Sequence, residues 1–321
     1  MLAGTDVLRF NFNYDSVEEN LRQLKSAEKI RADLHAQVKY LADLPDNRIW
    51  FGDFSPAPLV LQEGQKITLK SGDHSDNPEQ FIPVNLEKLG EKTYVGENIF
   101  INDGEMAVTV TEIMDKDTIN VQTLNRGEIV PHRGFYINQP IDENKLLEAY
   151  TKIIKALAVE EPYYLSLPYV NENFHHEVVK ILHRYKKWHP QIVIKIQHQE
   201  DLENLEKICE AKTCHGLIID RGELGVNVPF EQLGVRQKEI MTTAKKFGKP
   251  VLVSTQILES TFYNYVPFRS DILDLTNIIL DGADGIILCR ETSVGPRPIY
   301  AISIAKKIIA EAEKMKNSRA K

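Results

Sequence analysis

Leu217-Ile218-Ile219-Asp220-Arg221-Gly222-Glu223-Leu224-Gly225 decides how the rest of the chain is read. Three apolar residues, too few for a buried helix but enough for a buried strand, run directly into a charged turn punctuated by glycine. The unit repeats on both sides. Apolar strand runs are predicted at 164–167, 192–196, 217–219, 251–253 and 285–288, and helical patterns at 142–159, 173–187, 201–210, 231–247, 272–280 and 299–316. Short, nearly all-apolar strands alternating with helices describe a parallel sheet with helices packed over it. Toward the N-terminus, Val7-Leu8-Arg9-Phe10-Asn11-Phe12 and the run 38–42 add two more strands. Between them Ser16 and Glu19 have the spacing of a capping box for a helix reaching about Ile30. Seven strands are one short of a (β/α)₈ barrel.

From residue 46 to about 140 the pattern changes. Alternating segments at 59–61, 66–69, 99–101, 108–110 and 119–121 are separated by Glu63-Gly64, Ser71-Gly72-Asp73, Asn102-Asp103-Gly104 and Arg126-Gly127. Strands so short and so regularly interrupted predict a small all-β unit, with hinges at its edges. The expected organisation is a barrel domain begun by residues 1–45, an inserted β-rich lid over 46–140, and the remainder of the barrel over 141–321.

Composition limits the function classes. The 321 residues carry 39 Lys+Arg against 46 Asp+Glu, a net charge of −7, with 42% hydrophobic and 26% charged residues. That balance belongs to a globular protein and excludes a disordered or fibrous one. A mildly acidic surface argues against broad binding to nucleic acid or anionic membrane. No apolar run approaches the roughly 20 residues of a membrane span, and the first residues lack the form of a signal peptide. Cys209, Cys214 and Cys289 have neither disulfide-framework nor zinc-site spacing, which points to a reducing, cytoplasmic setting.

In a barrel, function sits at the C-terminal ends of the strands. Those ends carry Arg9, Asn11 and Asn13; Asp43; Ser166; Lys195, Gln197 and His198; Arg221-Gly222-Glu223; Ser254-Thr255-Gln256; and Arg290-Glu291-Thr292. Polar groups at successive strand ends converge on one mouth. Arg9 and Lys195 suit phosphoryl oxygens. The amides of Gly222 and Glu223 suit a carboxylate if a helix begins there. Glu223 and Gln197, with Asn11, Asn13 and Asp43, offer oxygens to cations. Each also has a plainer reading: a turn at Gly222 and Gly225, a buried small hydrophobe at Cys289, satisfied surface histidines at His175, His176 and His198.

The order Val-Leu-Arg-Phe-Asn-Phe, Ala-Asp-Leu-Pro-Asp-Asn-Arg, Asn-Asp-Gly, Ile-Lys-Ile-Gln, Asp-Arg-Gly-Glu-Leu-Gly-Val, Ser-Thr-Gln-Ile-Leu-Glu-Ser and Leu-Asp-Gly-Ala-Asp-Gly-Ile-Ile-Leu-Cys-Arg-Glu-Thr resembles pyruvate kinase, most specifically over residues 216–295. The resemblance implies a TIM-type (β/α) barrel with a β-rich lid. It also implies phosphoryl transfer between phosphoenolpyruvate and ADP, with Mg²⁺ or Mn²⁺ and usually K⁺. By position it implies Arg9 on the phosphate side, Asn11 and Asp43 about the monovalent cation, and Lys195 stabilising the phosphoryl in transit. Thr255 falls beside the enolate carbon and the Gly222 and Glu223 amides at the carboxylate, while Ser166 is a substrate-side candidate from its strand end alone.

The departures cluster at the metal. Gln197 stands where the family has a carboxylate, and Glu223 is one methylene longer than the family's Asp, so the divalent site is expected to lose one negative charge. Asn13 replaces a Ser, Leu44 a Thr, Trp50 an Arg and Arg290 a Gly. Set against the family, the sequence begins beyond the first barrel strand and ends before the C-terminal domain. The expectation is a barrel incomplete at its N-terminus, its edge covered by a rearranged segment, a partner subunit or a homo-oligomer. Two readings follow: a phosphotransferase with a degraded metal site, or a repurposed, non-catalytic relative serving as a binding or regulatory subunit.

Overall fold

The computed structural model describes residues 1–46, 48–137 and 141–319. Residues 47 and 138–140, where hinges were expected, lie outside the described residues. The chain divides into two compact units, Met1–Asp46 with Glu143–Lys321, and Asn47–Asp142.

The first unit is built on seven parallel strands: β1 (Val7–Asn11), β2 (Lys39–Asp43), β3 (Tyr164–Pro168), β4 (Gln191–Ile196), β5 (Gly216–Asp220), β6 (Val251–Ser254) and β7 (Gly285–Ile287). They are hydrogen-bonded in chain order, with β1 and β7 as the edges, in an α/β sheet curled into a nearly closed barrel. The intervening helices are α1 (Val17–Asp33), α2 (Glu143–Leu157), α3 (Glu172–Leu182), α4 (Gln199–Glu203), α5 (Leu205–Glu210), α6 (Arg221–Asn227), α7 (Leu233–Lys246), α8 (Arg269–Asp281), α9 (Arg290–Ser293) and α10 (Pro298–Arg319). Among the described residues no helix is long and apolar enough to cross a membrane.

Local chemistry sets the helix ends. Ser16 caps α1, its hydroxyl accepting from Glu19 N at 3.2 Å. The reciprocal half of the expected box is not made by Glu19, whose carboxylate instead takes Arg22 at 2.7 and 2.8 Å. An ionised pair at i,i+3 competes directly with a neutral backbone donor for the same oxygens. The single helix expected at 201–210 begins at Gln199, because Asp201 accepts the Gln197 and His198 amides, and it breaks at Asn204 into α4 and α5.

Strand periodicity builds the interior in layers. Leu41, Val193 and Ile218 form a buried cluster against which Val7, Tyr164, Leu252 and Ile287 pack, one residue from each of the seven strands. Residues two positions further along a strand face the same way. They are Arg9, Asp43, Ser166, Lys195, Asp220 and Ser254, and Cys289 joins them from just beyond the end of β7. An apolar plug therefore carries a layer made almost wholly of polar side chains.

The second unit is a β structure with a seven-stranded mixed sheet. Met106–Ile113 pairs antiparallel with Thr118–Thr123 and Asn98–Ile101, and Lys66–Ser71 pairs with both Thr118–Thr123 and Ile82–Val84. Its core joins Phe51, Leu61, Leu69, Ile82, Ile99, Ile101, Val108, Ile119, Val121 and Phe135. Phe51 and Phe135 meet edge to face at 5.5 Å.

Candidate functional site

The polar layer is one connected network. At the end of β2, Asp43 is fully buried. Its Oδ2 accepts from Arg9 Nε at 2.8 Å and Nη2 at 2.5 Å. Its Oδ1 accepts from Ser166 Oγ at 2.8 Å and lies 3.2 Å from Lys195 Nζ. Burial alone would push this carboxyl upward, but Lys195 and Arg9 outweigh it and hold the group down at about 2. Lys195 is equally buried and also reaches Leu44 O at 3.3 Å and Asp46 Oδ2 at 3.7 Å. Burial disfavours its charge; Asp43, Asp46 and Asp220 reverse that and raise its pKa. Arg9 Nη1 lies 3.6 Å from Cys289 Sγ, so the guanidinium at the end of β1 touches the turn after β7. Cys289, expected as a plain hydrophobe, thus lines the polar layer.

The network continues through Gln197, fully buried just past β4. Its Nε2 donates to Asp46 Oδ2 at 3.3 Å and Asp220 Oδ2 at 3.1 Å. Asp220 Oδ1 in turn accepts from Thr255 Oγ1 at 3.0 Å. The path Arg9–Asp43–Lys195–Asp46–Gln197–Asp220–Thr255 runs unbroken along the strand ends. It unites Arg9, Asp43, Ser166, Lys195, Gln197 and Thr255 of the sequence candidates. Asp46 and Asp220 are the additions.

Thr255 gets there by an unusual backbone. Thr255, Gln256 and Leu258 have φ of 72°, 54° and 57°, a left-handed region costing roughly 1–2 kcal/mol per non-glycine residue. Arg221 offsets that strain. Its Nε and Nη2 donate to Thr255 O at 3.1 and 2.8 Å, Nη2 donates to Gln256 O at 2.9 Å, and Nη1 holds Asp274 at 2.9 and 3.0 Å. A lysine cannot reproduce that planar fork. Arg221→Lys is expected to speed amide exchange across 255–258 and to cost roughly 1–2 kcal/mol; unchanged exchange would show that the loop holds its shape without the clamp.

The remaining candidates are placed as follows. Gly222 and Glu223 lie in the first turn of α6, both buried. Asn227 ties that helix to the end of β4 by donating to Gln197 O at 3.3 Å and Glu223 O at 2.9 Å. Asn11 Oδ1 accepts from Asn13 N and Nδ2, both at 3.1 Å, while Asn13 Oδ1 accepts from Asp46 N at 3.1 Å. Beneath the turn after β7, Glu291 is buried and its Oε2 accepts Cys289 N at 2.6 Å. Burial pushes Glu291 up to about 7 and Asp201 up to about 6.

Glu223 apart, this donor set does not suit a resident cation. Both oxygens of Asp43 are taken by Arg9, Lys195 and Ser166. The oxygens of Asn11 and Asn13 are taken by amides. Between Asp46 and Asp220 sits an amide NH₂, and a hard cation requires oxygens there. Among the described residues no three His, Cys, Asp or Glu side chains are grouped to hold a metal ion. Asp46 and Asp220 flank the position where Gln197 stands in place of the family's carboxylate.

Comparison with known proteins gives one family. The pyruvate kinase barrel domain matches residues 1–302. Pyruvate kinase of Thermotoga maritima is 32% identical over 316 residues, 97% of this chain and 66% of that protein. Pyruvate kinase of Thermococcus litoralis is 28% identical over 320 residues, 98% of this chain and 66% of that protein. Among solved structures, a pyruvate kinase from Cryptosporidium parvum superimposes with a TM-score of 0.76 at 26% identity, covering 97% of this chain and 65% of that one. The chain thus spans just under two thirds of the length of these relatives.

Proposed function

This chain belongs to the pyruvate kinase family, and on that premise we propose that it transfers a phosphoryl group between phosphoenolpyruvate and ADP in the cytoplasm, giving pyruvate and ATP. Phosphoryl transfer needs mainly positioning and stabilisation of charge on the moving oxygens. In this reading Arg9 and Lys195 meet those oxygens and the Gly222 and Glu223 amides orient the carboxylate. The Thr255 hydroxyl stands beside the enolate carbon that must gain a proton, and Asp43, itself held by Ser166, keeps the Arg9 and Lys195 side chains in place. The nucleotide arrives as its own divalent-metal complex, as substrate. The observation that carries this reading is the gathering of Arg9, Lys195 and Thr255 into one network directly above the apolar plug.

ATP formation from phosphoenolpyruvate and ADP, with Mg²⁺ or Mn²⁺ and with or without K⁺, is the expected result of a coupled assay. No turnover under any of these conditions would overturn it in favour of a second reading, a binding or regulatory subunit. That alternative draws on one observation: Asp43 and Asp46 already neutralise the cations a phosphate would need. It is supported if phosphoenolpyruvate binds in calorimetry without being turned over.

A further inference from the structure

We propose that the Gln197 amide replaces a protein-bound divalent ion, its two N–H groups bridging Asp46 and Asp220, so that this rim holds no divalent metal of its own. The inference rests on the site being at this rim, as in the reading above, and not on turnover.

Two observations converge. First, Gln197 is fully buried and fixed by its backbone: its N–H donates to Asp201 Oδ2 at 2.6 Å and its carbonyl accepts from Asn227 at 3.3 Å. Second, the amide's orientation is chemically determined. Turned over, it would bring a third oxygen to about 3.1 and 3.3 Å from two carboxylate oxygens, with repulsion and no donor between them. With the NH₂ inward, both its hydrogens are used, one on each carboxylate. Against these, Gln197 Oε1 is buried and without a partner. A buried acceptor left unsatisfied costs roughly 1–3 kcal/mol, and here the inward pair of hydrogen bonds holds the amide despite that cost.

The charges around the bridge are consistent with this. Asp46 also faces Lys195 Nζ at 3.7 Å, and Asp220 also accepts from Thr255. Asp220 thus takes two hydrogen bonds, and Asp46 one hydrogen bond and one ion pair, all from the protein. The amide joins the Lys195 end of the network to the Thr255 end without net charge, so the link is made with no ion to recruit or lose.

The test uses the nucleotide-free full chain and Mn²⁺, read by the free-ion paramagnetic resonance signal, with thermal melting in parallel. Wild type is expected to take up no Mn²⁺ at millimolar concentration and to melt unchanged. Gln197→Glu places a third carboxylate between two others and is expected to take up Mn²⁺ at millimolar concentration or below, since ligand charge sets affinity at such sites, and to melt higher when Mn²⁺ is added. Mn²⁺ binding by wild type that is lost in Asp46→Asn or Asp220→Asn would overturn the proposal, because the amide would then have turned its oxygen to the ion. A folded Gln197→Glu with no gain in affinity would overturn it too. Should Gln197→Glu fail to fold, wild type and Gln197→Ala decide: absence of uptake by both supports the proposal, and uptake by wild type lost in Gln197→Ala refutes it. None of these measurements involves phosphoenolpyruvate, so a failure of phosphoryl transfer is scored separately.

Discussion

Asp43→Asn is expected to destabilise the protein by about 3–5 kcal/mol, the cost of leaving a buried charge without its partner. Asp43 has no solvent exposure and is the shared counter-ion of Arg9 and Lys195. The amide keeps the shape and an acceptor for Ser166, but removes the charge that makes burying Lys195 tolerable. A urea titration should show a lower midpoint with an unchanged slope. The pH dependence supplies an independent check. With its folded pKa held at about 2 against an ordinary 3.8, Asp43 contributes stability that is complete above the unfolded value and is lost as pH falls through the folded one. That contribution amounts to roughly 2 kcal/mol. The acid limb of the stability curve between about pH 5 and 2 should therefore be shallower in Asp43→Asn than in wild type. A stability loss below about 1 kcal/mol, or parallel acid limbs, would mean that Asp43 does not carry the charge balance of this layer.

Most of the barrel was legible because its signals are local. Each predicted strand lies within one or two residues of an observed one, since an apolar run of this length between helical segments has few other uses. The second unit was legible only where alternation lasted. Lys66–Ser71, Met106–Ile113 and Thr118–Thr123 were found, whereas Ile49–Trp50, Asp53–Phe54 and His74–Ser75 span two residues each, too short to show a period. The site shows the same division. Arg9, Lys195 and Thr255 were identified from strand ends. Asp220 is not, because the apolar run stops at Ile219 while the strand runs one residue further, and only then does the period of two from Ile218 place Asp220 in the polar layer. In sequence Asp46 marks only the boundary of the inserted unit, and the path of the chain is what brings its carboxylate against Gln197 and Lys195. The Arg221 fork on a left-handed loop depends on contacts 34 and 35 residues apart in sequence, beyond the reach of any pattern within a short window.

Lys195→Met is expected to lower kcat for phosphoryl transfer by about 10²–10³-fold, the scale seen when one preorganised charge-stabilising donor is removed from a site. The change should fall mainly on kcat, because a group that meets charge developing in transit contributes more to the transition state than to the bound substrate. Methionine fills the slot with a similar unbranched stem, so packing is largely kept. Lys195→Arg is expected not to restore the rate. The ammonium is a compact point charge lying 3.2 Å from Asp43, 3.7 Å from Asp46 and 3.3 Å from Leu44 O, and a planar guanidinium cannot occupy so closed a space with the same three contacts. If Lys195 served only to neutralise Asp43 and Asp46, Lys195→Met would lower the melting point and leave kcat within a few-fold of wild type. The two roles therefore separate cleanly: a fall in kcat measured well below the melting transition assigns the cation to the moving phosphoryl, and a fall in stability alone assigns it to the carboxylates around it.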